Sequence, residues 1–311
     1  MQTQFLLGPA GSGKTYRCLA EIRAALRASP EGLPLILLAP KQATFQLERQ
    51  LLADPSLPGY TRLQILSFER LADFVLEKLH RPPPRLLTDE GRVMVLRALL
   101  SRKRNELKLF RASARLPGFA QQLNRLLREL QRYHLTPERL EGLIGKVSGN
   151  RHLKDKLHDL AFLLRAYLDW LKEHGLQDTD CLLDLATAAL TTDKSALRIQ
   201  GLWLDGFAEM TPQELDLLAA VAPRCERATL AFCLANKSTE NVSWLSPWFV
   251  VNQTFQNCYQ RLGTLPGNEI EVERLERRPD QTRFAGNPLL QHLESFWARP
   301  EPFAIRSAVS S

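Results

Sequence analysis

The sequence has few cysteines and no long apolar run. Its 311 residues include five cysteines (Cys18, Cys181, Cys225, Cys233 and Cys258), and no two of them form a Cys-x-x-Cys pair. This spacing suggests neither a zinc site nor a disulfide framework, so we expect a reducing, cytoplasmic environment. No apolar stretch reaches the roughly 20 residues of a membrane-spanning helix. Strand character begins within a few residues of Met1, so no secretory leader is expected.

Basic residues are in moderate excess and are concentrated in one segment. Lysine and arginine number 41 against 34 acidic residues, a net charge of +7. Between Ser101 and His134, nine basic residues stand against two acidic ones, so the local excess equals that of the whole chain. Such a segment suits contact with a nucleic-acid backbone, and Arg125, Arg128 and Arg132 are its candidate contacts. A solvated helix face is the open alternative, because this segment shows no pattern of residues that would contact DNA bases.

The most informative pattern is the glycine-rich stretch GPAGSGKT, which lies between an apolar run and a helix-compatible segment. Glycines let successive backbone N–H groups curl around a phosphate, the helix N-terminus adds a favourable dipole, and the lysine reaches the outer phosphates. The spacing therefore predicts a nucleotide-binding loop. Its predicted ligands are Gly8, Gly11, Ser12, Gly13, Lys14 and Thr15. The alternative is a plain turn in which Lys14 is solvated.

A carboxylate suited to the same site follows a second apolar run. Asp205 comes directly after Leu202-Trp203-Leu204, the position of a Walker B aspartate, so Thr15 and Asp205 are the predicted Mg²⁺ ligands. The next residue is Gly206, where a hydrolytic enzyme is expected to carry a glutamate. Hydrolysis is therefore expected to be weak or absent. Glu209 and Glu214 lie nearby, but they are at least as suited to capping the helix that begins at Thr211 as to replacing that glutamate.

Hydrophobic periodicity divides the chain into three segments. Residues 1–84 alternate short apolar runs with helical stretches, which is typical of a parallel α/β fold. Residues 85–195 carry leucine stripes at three- and four-residue spacing without a convincing strand, which predicts an all-helical domain. Residues 196–311 return to strand character. The predicted fold is an α/β phosphate-loop sheet flanked by helices, interrupted by a large inserted helical domain.

Several motifs resemble those of DNA motors. The stretch LLAPKQATFQLE at residues 37–48 resembles motif Ia of superfamily 1 helicases, and ILSFERLA at 65–72 resembles motif Ib. Both motifs contact single-stranded DNA in that superfamily. More closely, residues 39–45, 67–71, 204–207 and 211–214 resemble the B subunit family of the AddAB/RexAB helicase–nucleases. The pair Arg283-Phe284, with Asn287 and Leu293-Glu294, extends this resemblance nearly end to end.

The resemblance implies a RecA-like motor domain that uses ATP and Mg²⁺, engages a single strand or duplex end, and pairs with a larger A-type subunit in double-strand break repair. It also implies an N-terminal fragment, because the second motor domain and the nuclease domain are missing. The DNA contacts implied are Gln42, Thr44, Phe45, Ser67 and Phe68. The two phenylalanines are candidates for base stacking or for core packing, and the two hydroxyls are expected to cap helices and donate to phosphate.

Two other functions stay open from the sequence. The first is a phosphate-loop kinase for a small acceptor, with the helical block as its lid, although such lids are usually much shorter. The second is a scaffold in which nucleotide only stabilises the fold, an alternative kept open by Gly206.

Overall fold

A computed structural model describes residues 1–82, 84–193, 197–234, 242–277, 284–297 and 300–303. Its strands are β1 (Gln2–Gly8), β2 (Leu35–Leu38), β3 (Leu63–Leu66), β4 (Leu86–Leu87), β5 (Gln177–Asp178), β6 (Ile199–Leu204), β7 (Cys225–Cys233) and β8 (Glu269–Arg274). Its helices are α1 (Lys14–Ala28), α2 (Thr44–Leu52), α3 (Phe68–Lys78), α4 (Asp89–Lys103), α5 (Phe119–Arg132), α6 (Pro137–Ile144), α7 (Arg151–Glu173), α8 (Leu182–Thr192), α9 (Pro212–Val221), α10 (Phe249–Gly263) and α11 (Pro288–Ser295).

The described residues form two compact units. Unit 1 takes those within 1–68, 196–210 and 221–311, and unit 2 takes those within 69–195 and 211–220. Unit 2 thus begins before the boundary predicted after residue 84. The boundary predicted after residue 195 lies outside the described residues, so the three-segment division stays a prediction.

Unit 1 is built on a six-stranded sheet in the order β3-β2-β6-β7-β1-β8. Every pair of neighbouring strands is parallel, and the register places Leu38 beside Leu204 and Leu7 beside Phe232. The α/β prediction is therefore confirmed as a parallel sheet with flanking helices. Because the carboxyl ends of parallel strands share one edge, the residues that follow β1, β2, β6 and β7 gather there.

Helices pack on both faces of this sheet. Neighbouring side chains on a strand point to opposite sides, so adjacent residues of β1 contact different helices. On β1, Leu6 belongs to a core shared with Ile22 of α1 and with Trp203 of β6, all of them fully buried. The adjacent Phe5 packs against Phe255 and Tyr259 of α10, with ring centroids 5.4 and 5.8 Å apart. Each such buried side chain contributes about 1.5–3 kcal/mol to folding.

Unit 2 consists mainly of helices around a leucine-rich core. Leu96 of α4, Leu127 of α5 and Leu163 of α7 are fully buried in it. Three of its helices, α4, α6 and α7, start at a capping side chain; the Thr88 hydroxyl, for example, accepts a hydrogen bond from the backbone N–H of Gly91 at 3.2 Å.

One expectation for the helical segment is wrong. The segment contains a short parallel pairing, because β4 aligns with β5, and the backbone N–H of Gln177 donates to the Arg85 carbonyl at 2.8 Å. Two-residue strands leave no periodic signal in a sequence.

Candidate nucleotide-binding site

The glycine-rich loop connects the end of β1 to the start of α1. Gly11 and Gly13 adopt positive φ values of 79° and 91°, which favour glycine because it has no Cβ. At Gly8 a Cβ would lie 2.6 Å from the Leu275 carbonyl oxygen, so only glycine fits without a shift of the neighbouring backbone. The loop conformation thus requires glycine at the three positions where the sequence has it.

Lys14 is the first residue of α1 and is only 8 % exposed. Its ammonium group donates to the backbone carbonyls of Gly8 at 2.8 Å and Pro9 at 2.7 Å, and to the Ser12 hydroxyl at 3.4 Å. Burial lowers the pKa of Lys14, while the Asp205 carboxylate opposes that shift. The cation is therefore held over the loop by neutral oxygens, a position from which an anion on the loop could engage it.

Thr15 and Asp205 meet across the sheet edge. The Thr15 hydroxyl donates to the Asp205 carboxylate at 2.5 Å, and Asp205 is largely buried at the end of β6. The backbone N–H of Asp205 donates to the Leu38 carbonyl at 3.0 Å, which anchors the residue to the neighbouring strand. The two groups are hydrogen-bonded to each other here, and both are oxygen ligands of the kind that Mg²⁺ takes before it completes its shell with phosphates and water.

Gly206 has a positive φ of 86°, and a Cβ there would lie 3.2 Å from the Pro40 ring. The chain is therefore shaped around glycine where a hydrolytic enzyme is expected to have a glutamate. The Glu214 carboxylate accepts from the backbone N–H of Thr211 at 2.7 Å and from its hydroxyl at 3.0 Å. Glu214 is thus engaged at the start of α9, in agreement with the capping role expected for it.

A cavity of about 710 Å³ adjoins the loop. Its lining includes Tyr16 and Arg17 of α1 and the residues from Arg274 to Arg277 that end and follow β8. The Arg277 guanidinium donates two hydrogen bonds to the Ala10 carbonyl, at 3.1 and 2.8 Å. Neither Tyr16 nor Arg277 is among the residues predicted from the sequence. The sequence gives one signal that could have identified Tyr16, which is its position directly after the glycine-rich motif.

The residues predicted to contact DNA just before and at the start of α2 differ in accessibility. Gln42 and Phe45 are exposed, Phe45 by 68 %. The capping role expected of Thr44 is wrong, because Ala43 occupies the cap position and the Thr44 hydroxyl donates to the Lys41 carbonyl at 3.1 Å. That hydroxyl lies within the helix rather than ahead of it.

The two predicted DNA contacts at the start of α3 are buried. Ser67 is 5 % exposed and Phe68 is 2 % exposed. The Phe68 ring packs edge-on against Phe207, with centroids 5.2 Å apart, which is the core packing weighed as its alternative. In this conformation Phe68 presents no ring face for a base.

The arginines of the basic segment are partly neutralised within unit 2. Arg128 pairs with Asp89 and Asp180, both at 2.9 Å, and Arg132 pairs with Asp180 at 3.1 Å. Asp180 also receives the fully buried Arg92 at 3.1 Å. Arg125 and Arg128 both line a cavity of about 530 Å³ between α4 and α5, but no ion pair is recorded for Arg125 among the described residues. The acidic partners Asp89 and Asp180 lie on either side of residues 101–134, so the net charge of that segment alone does not include them.

The fold and this site define a parallel α/β protein whose glycine-rich loop, lysine and hydroxyl–carboxylate pair converge at the carboxyl edge of the sheet. The family described as "ADDB, N-terminal" matches residues 5–294, and the chain belongs to this family. The resemblance to the B subunits is thereby confirmed. Arg283, one residue of that resemblance, lies outside the described residues.

Known relatives agree with the family. The chain is 41 % identical over 310 residues to the B subunit of the ATP-dependent helicase/deoxyribonuclease of Heliobacterium modesticaldum, covering 97 % of this chain and 25 % of that protein. It is 39 % identical to the protein of the same name from Desulforudis audaxviator, covering 96 % and 26 %. The chain thus spans about a quarter of these relatives. Within the described residues, no helix is long and apolar enough to cross a membrane.

Proposed function

We propose that unit 1 is a RecA-like phosphate-loop domain that binds ATP with Mg²⁺. The observation that carries this proposal is the convergence of Lys14, Thr15 and Asp205 beside a loop whose glycines adopt the conformations that a phosphate-binding turn uses. In a parallel α/β sheet, the carboxyl edge is where ligands bind.

The residues divide the work of holding the nucleotide. Backbone N–H groups of the loop between Gly8 and Lys14 would donate to phosphate oxygens, and the Lys14 ammonium would exchange its carbonyl partners for the outer phosphates. Thr15 and Asp205 would hold Mg²⁺, which when bound neutralises phosphate charge. With the metal bound, the Asp205 carboxylate would coordinate Mg²⁺ in place of accepting the Thr15 hydrogen bond.

Hydrolysis at this site is proposed to be weak or absent. A catalytic water needs a carboxylate to orient it, and Gly206 provides no side chain. Its positive φ and the proximity of Pro40 disfavour any larger residue there. Nucleotide would then act as a bound effector and would not be hydrolysed to drive movement.

At the level of the whole protein, we propose that the chain contributes to a cytoplasmic helicase–nuclease that processes double-strand breaks for homologous recombination. The supporting observation is that the relatives are named as B subunits of an ATP-dependent helicase/deoxyribonuclease, a name that implies a larger A-type partner and DNA. In this proposal unit 2 corresponds largely to the inserted helical domain. In unit 1, the exposed residues Gln42 and Phe45 would contact a single strand, and in unit 2, Arg125 would contact DNA phosphates.

Two measurements on the 311-residue chain test this proposal. Calorimetric titration with MgATP should show binding that weakens when Mg²⁺ is removed. Titration of a fluorescent single-stranded oligonucleotide at several salt concentrations should give a binding constant that falls steeply with salt. Nucleotide binding without any DNA binding would favour the scaffold function, for which Gly206 is the supporting observation. Absence of nucleotide binding would refute the proposed site.

A further inference from the structure

The cavity between α4 and α5 takes no part in the proposed nucleotide site. It lies between the first turns of α4 and the middle of α5, and all the described residues that line it belong to these two helices. Its volume of about 530 Å³ falls within the 300–1,000 Å³ typical of small-ligand sites. Both helices pack on the leucine-rich core, so the cavity is built entirely within unit 2.

Opposite charges line the two sides of this cavity. Asp89 and Glu90 lie on the α4 side, and Arg125 and Arg128 lie on the α5 side. The Arg128 guanidinium donates to the Asp89 carboxylate at 2.9 Å, so these two groups satisfy each other. Among the described residues, neither Glu90 nor Arg125 has an ion-pair partner, and they do not pair with each other. The cavity therefore keeps one unpaired charge of each sign, with room for a ligand between them.

Asn124 supplies a buried hydrogen-bond donor to the same cavity. It is 7 % exposed, and its side-chain oxygen accepts a hydrogen bond from Arg92 at 2.8 Å. Arg92 is fully buried and is held in place by ion pairs with Asp178 and Asp180. Because arginine only donates, this contact directs the amide oxygen towards Arg92 and leaves the NH₂ group as a donor.

The NH₂ group of Asn124 has no hydrogen-bond partner among the described residues, and Asn124 lines the cavity. A buried donor without an acceptor is unfavourable, so this group favours a ligand that supplies an oxygen. Val93 and Met94 add an apolar surface on the α4 side. Met94 is exposed, and its unbranched side chain adapts readily to the shape of a ligand.

We infer that this cavity binds a small zwitterion with an apolar side chain, of the class of the α-amino acids and dipeptides. Arg125 and Asn124 donate to its carboxylate, and Glu90 accepts from its ammonium group. The apolar side chain lies on Val93 and Met94. A phosphate fits this cavity less well, because two carboxylates line the opposite side and would repel a second negative charge.

The inference goes beyond the proposed function, because it involves neither the glycine-rich loop nor a nucleotide. Arg125 is the one residue that the two share, since it is also proposed to contact DNA phosphates. A ligand carboxylate on Arg125 would exclude a phosphate from it. The zwitterion would thereby weaken the contact of unit 2 with DNA.

The first test varies the ligand. L-leucine and leucyl-leucine are titrated into the 311-residue chain without nucleotide or DNA, and binding is followed by ligand-observed NMR, which detects weak complexes. The tighter of the two identifies a free amino acid or a dipeptide as the ligand. N-acetyl-leucine lacks the ammonium group and leucinamide lacks the carboxylate. We expect each of these to bind about tenfold more weakly than leucine, because each leaves one charged partner unused.

The second test varies the protein. Glu90→Gln should weaken leucine about tenfold and leave N-acetyl-leucine unchanged, and Arg125→Gln should weaken leucine about tenfold and leave leucinamide unchanged. Asn124→Asp keeps an acceptor for Arg92 but removes the donor, so it should also weaken leucine. Glu129→Gln and Arg97→Gln are the matched controls, because both residues are exposed on the same two helices outside the cavity. The controls should bind leucine as the unchanged chain does.

Three results overturn the inference and leave the proposed function untouched, since no nucleotide or DNA is present. The first is that the unchanged chain binds neither leucine nor leucyl-leucine. The second is that N-acetyl-leucine and leucinamide bind as tightly as leucine, which would show that the charges of a zwitterion are not recognised. The third is that Glu129→Gln weakens leucine as much as Glu90→Gln does, which would place the ammonium group outside the cavity.

Discussion

Replacing Lys14 by methionine should abolish nucleotide binding and leave unit 1 folded. Methionine is unbranched and similar in length, so it can fill the space of the lysine stem without overpacking. What it removes is the ammonium group that reaches the Gly8 and Pro9 carbonyls at 2.8 and 2.7 Å. In the proposed complex, this group engages phosphate oxygens instead.

The size of the binding loss follows from the contacts involved. Charge-assisted hydrogen bonds contribute about 1.5–3 kcal/mol each, and Lys14 has two good donors to transfer to phosphate. Their removal should cost about 3–6 kcal/mol, which corresponds to a dissociation constant about 10² to 10⁴ times larger. Such a loss takes a micromolar site beyond the range of an ordinary calorimetric titration.

Fold stability should respond differently, because burial lowers the pKa of Lys14. The folded protein then binds this proton less tightly than the unfolded chain, so the charged lysine costs stability at neutral pH. The free energy of unfolding should rise as the pH increases through the lowered pKa, and it should level off above the ordinary lysine value. Methionine removes that penalty but leaves the Gly8 carbonyl without its donor, so the net change should stay within about 1 kcal/mol.

The assay pairs MgATP titration with urea unfolding at neutral and alkaline pH. Lys41→Met is the control, because Lys41 is the exposed lysine that follows β2 and takes no part in the loop. Lys14→Met should lose MgATP binding and the alkaline rise in stability, and the control should keep both. MgATP binding by Lys14→Met within about threefold of the unchanged chain would refute the role given to the ammonium group.

Three further comparisons each set one substitution against a matched substitution elsewhere in the chain. Arg125→Gln should lower the slope of log K against log salt for single-stranded DNA by about 0.7, whereas Arg128→Gln should not, since two carboxylates already neutralise it. Phe45→Ala should weaken single-strand binding by about 1–3 kcal/mol without destabilising the fold. Phe68→Ala should lower the free energy of unfolding by about 3–5 kcal/mol. Gly206→Ala should lower it by about 1–2 kcal/mol, because its φ is positive.

Each comparison carries its own control. A larger salt effect from Arg128 than from Arg125 would contradict the neutralisation by Asp89 and Asp180. Loss of stability from the exposed Phe45, or none from Phe68, would contradict their burial. Gly59→Ala is the control for Gly206, since its φ is not positive and a Cβ there meets no atom within 4 Å. Equal effects at both glycines would show that backbone strain is not the cause.

The central strands could be predicted because their sequences are continuous apolar runs, as expected of strands buried on both faces. Leu35–Leu38 of β2 is such a run, and all four of its side chains are fully buried. The edge strand β8 could not be predicted because its sequence EIEVER is charged at every second position and largely exposed. An edge strand with one solvated face gives little hydrophobic signal.

The residues of the site also divide into those that a short sequence motif identifies and those that are brought together only by the fold. The loop could be predicted because its glycines, lysine and hydroxyl are contiguous in sequence, and Asp205 because it ends an apolar run. The contact of Arg277 with Ala10 joins residues 267 positions apart and follows no short motif. The pairing of Arg128 with Asp180 also joins distant residues, 52 positions apart. Such contacts depend on the completed packing, which periodicity alone does not specify.

The position of β1 in the sheet has a consequence for biosynthesis. Its partners are β7 and β8, whose residues follow it by more than two hundred positions. A ribosome adding roughly 5–20 residues per second needs about 10–50 s to make β7 after β1 has emerged. During that interval the apolar strand that precedes the loop has no neighbour to pair with. The nascent chain therefore carries an unpaired apolar strand until β7 has been made, and we expect chaperones that bind apolar segments to act during that interval.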